Sequence, residues 1–182
     1  MPRPAVGNGQ RRLRAVGRDD IESIRLWRNA QMSVLRQAKA ITRQEQISYF
    51  EQHIWPSLDQ PQPANILLAY EEDRNLIGYG GLVHVAWEHR RAEVSFLLKP
   101  QLTTEIQVYS DYFGSFLALL KEAAFTDLSL ERVWTETYAI RRHHVEVLES
   151  SGFRLEGVMR RHVLIDGQFT DSLIHGCLRD DD

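Results

Sequence analysis

Apolar residues recur at two spacings along the chain, and each spacing predicts one kind of element. Between 109 and 124 they recur every three or four positions, which predicts a long helix with one apolar side. Between 92 and 98 the residues divide into two strand faces, with Val94 on one and Glu93 on the other. The same reasoning predicts strands over 13–16, 65–70, 76–87, 92–98, 131–137, 153–165 and 168–177, and helices over 20–30, 42–54, 109–124 and 142–151.

Capping and turn residues define where some of these elements end. Thr42 with Glu45 three positions later is a capping-box pair that opens the second helix. Pro56 is expected to stop that helix, because proline cannot continue the hydrogen-bond ladder, and 56–63 then forms a loop. Asp166-Gly167 is a two-residue hairpin turn between the last two strands.

Short turns join neighbouring strands, and helices interrupt the series of strands. This order predicts an α/β fold with a mixed, mostly antiparallel central sheet flanked by helices. The polar, aperiodic residues 1–11 predict a flexible N-terminal tail, and 179–182 predict a short acidic tail. The sequence shows no internal repeat or low-complexity linker, so 12–178 is expected to be a single domain.

Composition excludes several classes of protein. Of the 182 residues, 43% are apolar and 26% are charged, which is ordinary for a soluble globular chain and unlike a disordered one. No apolar run reaches the roughly 18 residues of a membrane helix, so no membrane partner is expected. The net charge of −3 gives no global attraction for nucleic acid. A single cysteine, Cys177, fits a reducing cytoplasm, and no metal-ligand spacing is present, so no metal is expected.

Three separate segments point to one family. Residues 151–157 (SGFRLEG), followed by Arg160, Gly167 and Asp171, resemble a "GF..EG..R…G…D" pattern. Residues 27–29 (WRN) resemble a "WRN" tripeptide, and 93–100 (EVSFLLKP) resemble an "EIGYWI.P" strand. Both lie in the expected order along the chain. Together they resemble the GCN5-related N-acetyltransferase (GNAT) superfamily, in the branch that acetylates ribosomal-protein N-termini and amino sugars. The resemblance covers about 13–178.

The resemblance implies where the acyl donor lies. In this family two strands splay apart, here the one ending near Lys99 and the one over 131–137. Acetyl-CoA sits in the gap, and its pantetheine is expected to pair with the backbone of Phe96, Leu97, Leu98 and Lys99. The resemblance also implies direct attack of a primary amine on the thioester without a covalent intermediate, with an amide near Leu98 holding the oxyanion.

The chain departs from the family where the pyrophosphate is expected. The family has Arg/Gln-x-x-Gly-x-Gly/Ala before the long helix, and this chain has larger or acidic side chains there. Glu105 adds a negative charge close to the expected phosphates, although Thr104 and Gln107 offer a helix cap. The loop residues expected to meet the phosphates are Thr103, Thr104, Glu105, Ile106, Gln107 and Val108.

A second departure lies in the last helix. Arg141, His144 and Leu148 stand where family members often have Asn, Ser and Tyr. Leu148 cannot protonate a thiolate, whereas Arg141 is expected to reach a CoA phosphate and partly replace the loop. Two interpretations stay open: a working acetyltransferase with an unusual grip on CoA, or a protein that kept the fold and lost or changed its cofactor.

Two residues are candidates for catalysis. Glu93 lies on the strand that lines the expected gap, so it is a candidate general base, acting directly or through a water. The alternative is a partly buried carboxylate paired with Arg90, Arg91 or a histidine. Tyr138 follows the splayed strand and is a candidate for reaching the thioester, or else a surface tyrosine at a strand end.

Candidates for holding the acceptor come from three parts of the chain. Trp27, Arg28 and Asn29 are candidates for binding the acceptor. Arg28 and Asn29 would bind a sugar, a carboxylate or a peptide end, or else cap the first helix, while the spacing of Trp27 with Ile24 favours core packing. His84 would line a pocket or a half-buried edge. Asp171 would line the acceptor pocket or form a salt bridge. The acceptor stays open between an amino sugar nucleotide, another small-molecule amine and a protein N-terminus; a homodimer through the closing hairpin is a further expectation.

Overall fold

The computed structural model describes residues 5–7, 9–35 and 37–181. Its centre is one eight-stranded sheet in the order β1-β2-β3-β4-β5-β6-β8-β7. Neighbouring strands are antiparallel, except that β5 and β6 run parallel. The strands are β1 (Ala5–Val6), β2 (Arg11–Ala15), β3 (Ile66–Glu72), β4 (Asn75–Ala86), β5 (Arg91–Leu98), β6 (Arg132–Tyr138), β7 (Arg154–Ile165) and β8 (Gln168–Leu178).

Helices cover both faces of the sheet, and each face has its own apolar core. One core joins the long central helix and the last helix to the sheet, and includes Phe113, Phe116 and Leu148. The other joins the first two helices to the opposite face, and includes Ile24 and Phe50. The helices are α1 (Ile21–Ala30), α2 (Arg43–Tyr49), α3 (Trp55–Leu58), α4 (Ile106–Lys121) and α5 (Arg142–Ser150).

Strand β5 separates these two cores because its side chains alternate between them. Val94 and Leu98 belong to the core under α4 and α5. Leu97 belongs to the core under α1. Glu93 and Ser95, which alternate with Val94, therefore face the α1–α2 side. The α/β fold with a mostly antiparallel sheet is the one that the sequence predicted.

Two local predictions are wrong. Pro56 does not stop the second helix: the chain continues through a π-helical turn, Phe50–Ile54, into α3, where Pro56 occupies an early position that needs no N–H donor. The flexible tail over 1–11 includes a strand, since Ala5–Val6 pairs with β2 and Val6 is fully buried. Residues 1–4 and 8 of that tail lie outside the described residues.

The acidic end of the chain makes specific contacts up to residue 181. The Asp181 carboxylate accepts a hydrogen bond from the Leu178 amide at 2.9 Å and pairs with Arg154 at 3.0 Å. Asp182 lies outside the described residues. The predicted closing hairpin is present, and the left-handed conformation of both Asp166 (φ 48°) and Gly167 (φ 76°) forms its tight turn. Strand β7 is an edge of the sheet, as the sequence predicted.

The sheet opens in its middle. Parallel pairing of β5 with β6 has only three rungs, and the last joins Glu93 to Trp134. Beyond that rung β5 continues alongside β4 as far as Leu98, while β6 continues alongside β8 as far as Tyr138. The divergence expected between these two strands is therefore present. Over the described residues, the chain has no helix that is both long and apolar enough to cross a membrane.

Candidate active site

A cavity of about 200 Å³ occupies the opening between β5 and β6, and we call it the cleft cavity. Its walls combine charged groups with aromatic and hydroxyl side chains from both strands. The residues most relevant to chemistry are Arg28, Glu93, Ser95, Phe96, Thr135, Glu136, Thr137, Tyr138, Arg141 and His144.

The backbone of β5 offers polar groups to this cleft. The Lys99 amide donates to the Ile77 carbonyl of β4 at 2.8 Å, which fixes the phase of the ladder. Because hydrogen-bonding direction alternates along a strand, Leu97 and Lys99 bond toward β4, while Phe96 and Leu98 direct their N–H and C=O groups toward the opening. In the described chain, no strand pairs with β5 on that side beyond Glu93. Only half of the backbone expected to meet pantetheine therefore faces the cleft.

A loop side chain occupies one of these backbone groups. Gln31, which follows α1, donates from Nε2 to the Leu98 carbonyl at 2.9 Å. The Leu98 carbonyl is therefore engaged by Gln31, and the Leu98 N–H is the backbone group of Leu98 that can bind a ligand in the opening.

Glu93 is positioned at the point where the strands separate. Its side chain is only 3% exposed and lines the cleft cavity on the α1–α2 side. The imidazole Nε2 of His84 lies 3.8 Å from Glu93 Oε2. Of the partners expected for Glu93, a histidine is therefore present, while Arg90 pairs with Glu131 at 3.3 Å. Glu93 is thus a carboxylate held in a cleft wall.

His84 sits in an irregular part of β4. The pairing of β4 with β5 shifts between Val83 and Ala86, and His84 adopts a left-handed conformation with φ 50°. Its side chain is 73% exposed. Val83, at the start of this irregular part of β4, lines the cleft cavity. His84 is not among the described residues that line it. His84 thus lies beside Glu93 and is largely exposed, and its role in lining a pocket stays a prediction.

The WRN tripeptide divides its three residues among three roles. Trp27 packs against the core under α1, as expected. Asn29 accepts from the Ile41 amide at 2.8 Å and donates to the Ile41 carbonyl at 2.9 Å, so it fastens the segment before α2 to α1. Arg28 donates to Gln37 Oε1 at 3.1 Å and to Tyr79 Oη at 2.9 Å, and lines the cleft cavity.

A second cavity of about 420 Å³ lies between α1, α2 and the sheet, and we call it the α1–α2 cavity. It shares Arg28, Val83 and Ser95 with the cleft cavity, so the two spaces meet at Arg28. Most of its lining is apolar or aromatic. The other residues around it are Ile24, Lys39, Ile41, Glu45, Gln46, Tyr49, Phe50, Leu67 and Tyr79.

A third cavity, of about 380 Å³, lies at the starts of α4 and α5, and we call it the α4–α5 cavity. It shares Val34, Arg141 and His144 with the cleft cavity. Thr103 and Tyr109 line it from the α4 side, and two exposed basic side chains line it from α5. Those two are Arg142 and His143.

The loop before α4 is built differently from its predicted form. Helix α4 begins at Ile106 with Glu105 as N-cap and with no side-chain cap, so the cap expected from Thr104 and Gln107 is wrong. Thr103 and Thr104 instead donate to carbonyls behind them, at 2.8 and 3.4 Å. The first amides of α4 have no acceptor within the helix, and the helix dipole gives this end positive character. The side chain of Ile106, the first residue of α4, is 54% exposed.

A buried polar triangle that the sequence did not reveal connects the α4–α5 cavity to the cleft. Tyr109 Oη lies 2.6 Å from His144 Nδ1, and Arg141 Nη2 lies 3.2 Å from each of them. The His144 ring also stacks on Phe113 with centroids 4.2 Å apart. The sequence had drawn attention to Arg141 and His144, but the apolar stripe of α4 hid Tyr109 among core residues.

Burial sets the protonation states in this triangle. Desolvation, with Arg141 and His175 nearby, holds the pKa of His144 well below its usual range. Burial also raises the pKa of Tyr109 to about 12, against the opposing influence of Arg141. His144 is therefore a neutral acceptor for the Tyr109 hydroxyl, and Arg141 carries the positive charge of the group.

The two remaining candidates have different fates. Tyr138 ends β6 and lines the cleft cavity, where its predicted role stays a prediction. Asp171 accepts from the Arg161 amide at 2.7 Å, and Arg161 has φ 52° where β7 is irregular. Its carboxylate thus stabilises the hairpin backbone and does not form a salt bridge with a described arginine side chain.

Among the residues that the structure describes, no three His, Cys, Asp or Glu side chains cluster as metal ligands do.

Comparisons with known proteins agree with this architecture. Residues 13–174 match a family model described as an acetyltransferase (GNAT) domain. A structure of spermidine N-acetyltransferase from Vibrio cholerae in complex with CoA and spermine is 23% identical, with a TM-score of 0.81 over 96% of this chain and 98% of that one. A dodecameric structure of spermidine N-acetyltransferase from the same organism is 22% identical, with a TM-score of 0.79 over 94% and 95%. No curated protein matches significantly.

Proposed function

Because the chain belongs to the acetyltransferase (GNAT) domain family and is an acyl-CoA-dependent N-acetyltransferase, we propose that it acetylates a small-molecule primary amine in the cleft cavity. The observation that carries this proposal is the open side of β5, where Phe96 and the Leu98 N–H face the cleft beside Glu93 and, among the described residues, pair with no other strand. The two cavities that meet at Arg28 have volumes of about 200 and 420 Å³, the size of a small-molecule site, which favours a small amine over a folded protein.

The residues present fit acetyl-CoA. The backbone of Phe96 would pair with the pantetheine arm, and the first amides of α4 would meet the pyrophosphate. Arg141, between the α4–α5 and cleft cavities, would supply the positive charge that the loop before α4 lacks. When bound, acetyl-CoA supplies an acetyl group activated as a thioester.

Three groups of this chain would act in the transfer. Glu93 takes the proton of the attacking amine, which makes the nitrogen lone pair available. The Leu98 N–H donates to the oxygen that becomes negative as the amine adds to the carbonyl. Tyr138, at the end of β6, faces the same cavity and is the proposed proton donor to the departing sulfur.

Calorimetric titration of the purified protein with acetyl-CoA tests the proposal most directly. We expect micromolar binding, and release of CoA when primary amines are added. Absence of binding at millimolar acetyl-CoA would instead favour the alternative function, a domain that kept the fold and lost its cofactor. Glu105 is the observation behind that alternative, because it places a carboxylate beside the first amides of α4.

We also propose that two copies associate through the closing hairpin. Strand β7 is an unpaired edge, and Leu164 (63% exposed) and Phe169 (68%) lie opposite each other on one face of the hairpin. Phe169→Asp should convert a dimer into a monomer in sedimentation velocity, whereas Thr170→Asp, which changes a less exposed neighbour, serves as the control. A wild-type monomer at high concentration would remove this part of the proposal.

The location that we propose is a reducing compartment such as the cytoplasm, since Cys177 is the sole cysteine.

A further inference from the structure

Arg28 is the charged group shared by the two cavities in which an acceptor would lie. It projects from α1 into the wall between the cleft cavity and the α1–α2 cavity. Its two hydrogen-bond partners, Gln37 Oε1 and Tyr79 Oη, are both neutral. Among the residues that the structure describes, no carboxylate pairs with the Arg28 guanidinium. Neutral groups therefore hold its positive charge in place, and it forms no direct ion pair with a described residue.

The other charges of the α1–α2 cavity cancel. Lys39 Nζ lies 2.8 Å from Glu45 Oε1, and Glu45 also accepts from the Thr42 amide at 2.8 Å. Glu45 is the only carboxylate among the residues lining this cavity, and these bonds already engage it. The net charge at this end of the site is positive, which repels a polycation and attracts an anion.

The cleft end of the acceptor space contains carboxylates. Glu93 and Glu136 line the cleft cavity, where the amine must lie to be deprotonated, and Arg141 lines it on the α4–α5 side. The wall of the α1–α2 cavity beyond Arg28 is apolar, with Ile24, Ile41 and Phe50. Moving from the cleft toward α2, the space thus presents carboxylates, then a guanidinium, then an apolar surface.

We propose that the acceptor is a primary amine that also carries an anionic group, a carboxylate or a phosphate, bound by Arg28, with an apolar body in the α1–α2 cavity. Arginine suits this role because its planar fork donates two parallel hydrogen bonds to either oxyanion. The inference rests on the proposed function and narrows its substrate class. It distinguishes this chain from a polyamine acetyltransferase, since a polyamine would place a second positive charge beside Arg28.

Steady-state kinetics with matched amines tests the proposal. The probes are phenylalanine against phenethylamine, O-phosphoethanolamine against ethanolamine, and spermidine, with CoA release as the readout. We expect at least one anionic amine to exceed its uncharged partner by about tenfold or more in kcat/KM, and spermidine to be the poorest acceptor. The better of the two anionic amines identifies carboxylate or phosphate as the group recognised.

Substitution of Arg28 supplies the second readout. Arg28→Gln should lower the ratio of kcat/KM for the anionic amine to that for its uncharged partner by about tenfold, and Arg28→Lys should restore part of it. Arg43→Gln makes the same charge change at an exposed position of α2 outside the three cavities, and should leave the ratio unchanged. Equilibrium binding of 3-phenylpropanoate, which has the anion and no amine, should weaken in Arg28→Gln without any turnover being required.

The outcomes separate this inference from the proposed function. If acetyl-CoA binds and amines are acetylated, but spermidine is preferred or the Arg28→Gln ratio does not move, the anionic acceptor is wrong and the acetyltransferase stands. If acetyl-CoA does not bind at all, the proposed function itself fails. Binding of 3-phenylpropanoate that ignores Arg28 would also overturn the inference.

Discussion

The two sides of β5 handle buried charge in opposite ways. On the α4–α5 side, Arg141 donates to Tyr109 and His144, and stacking on Phe113 fixes the histidine, so each polar group restrains the others. On the α1–α2 side, the hydrogen-bond partners of Arg28 among the described residues are neutral, and Arg28 lines a cavity. The difference indicates that the α4–α5 side is built to hold a fixed geometry, while the α1–α2 side keeps the charge of Arg28 available for a bound ligand.

The largest effect should come from the carboxylate at the junction of the two sides. Glu93→Gln should lower kcat by about a hundredfold or more, because a general base contributes roughly 10²–10⁴ to the rate. Acetyl-CoA affinity, measured by calorimetry, should change little. Glu131→Gln, which removes an exposed carboxylate outside the cleft, is the matched control. A Glu93→Gln enzyme with wild-type kcat would mean that another group takes the proton.

The next largest effect tests how firmly the α4–α5 side is held. His144→Gln should lower the free energy of unfolding by about 2 kcal/mol, because it removes a ring stacked in the core and a partner of the Tyr109 hydroxyl. Urea unfolding followed by fluorescence measures it. His143→Gln, the adjacent and exposed histidine, should cost far less. Equal costs for the two would mean that the triangle adds nothing to stability.

The same histidine predicts a pH dependence. The folded pKa of His144 lies well below the usual value, so the unfolded chain binds this proton more readily. Stability should therefore be flat above about pH 6.5 and fall as the pH drops below it, by at most about 1.4 kcal/mol per pH unit. His144→Gln should flatten that slope between pH 7 and 5. Tyr109, Arg141 and His175 surround the ring, and a slope unchanged by the substitution would assign the titration to another group.

Arg141 should matter less for stability than for binding. Arg141→Gln should weaken acetyl-CoA binding by about tenfold, the cost of losing one charged hydrogen bond to a phosphate. Arg142→Gln removes an exposed charge one position along the same helix and should have a smaller effect. If Arg142→Gln weakened acetyl-CoA binding more than Arg141→Gln did, the phosphates of the cofactor would lie nearer Arg142 than the triangle of Tyr109, Arg141 and His144.

The smallest predicted effect concerns the loop before α4. Glu105→Gln should strengthen acetyl-CoA binding by about threefold at low salt, since it removes a negative charge near the phosphates without breaking a side-chain cap. The gain should disappear at about 1 M salt, where exposed charges are screened. Calorimetry at two ionic strengths checks both statements. A loss of affinity in Glu105→Gln would show that this carboxylate supports the loop.

The elements that were predictable share a local cause. Periodicity predicted α4, alternation predicted β5, and the Thr42–Glu45 capping box is present as expected. The opening between β5 and β6 followed from the resemblance, and no local pattern revealed it. Pro56 misled because a π-helical turn before it let the helix continue.

The site was harder to predict because its residues converge only in three dimensions. Tyr109 and His144 are 35 positions apart, and although His144 stood out from the family pattern, nothing in the sequence linked it to Tyr109. Asp171 followed a family pattern, yet the structure uses its carboxylate to hold a strained backbone amide. Arg28 was a candidate from the sequence, but its neutral partners could be recognised only once Tyr79 and Gln37 were placed around it.

The short pairing of β5 with β6 has a consequence for how this protein could change over generations. Three rungs hold the two halves of the sheet together, and the backbone beyond them, not any particular side chain, creates the opening. Replacing the residues around such an opening alters what fits without abolishing the space. Side chains around the opening, including those of the loop before α4, can therefore be exchanged while an intact place for chemistry remains.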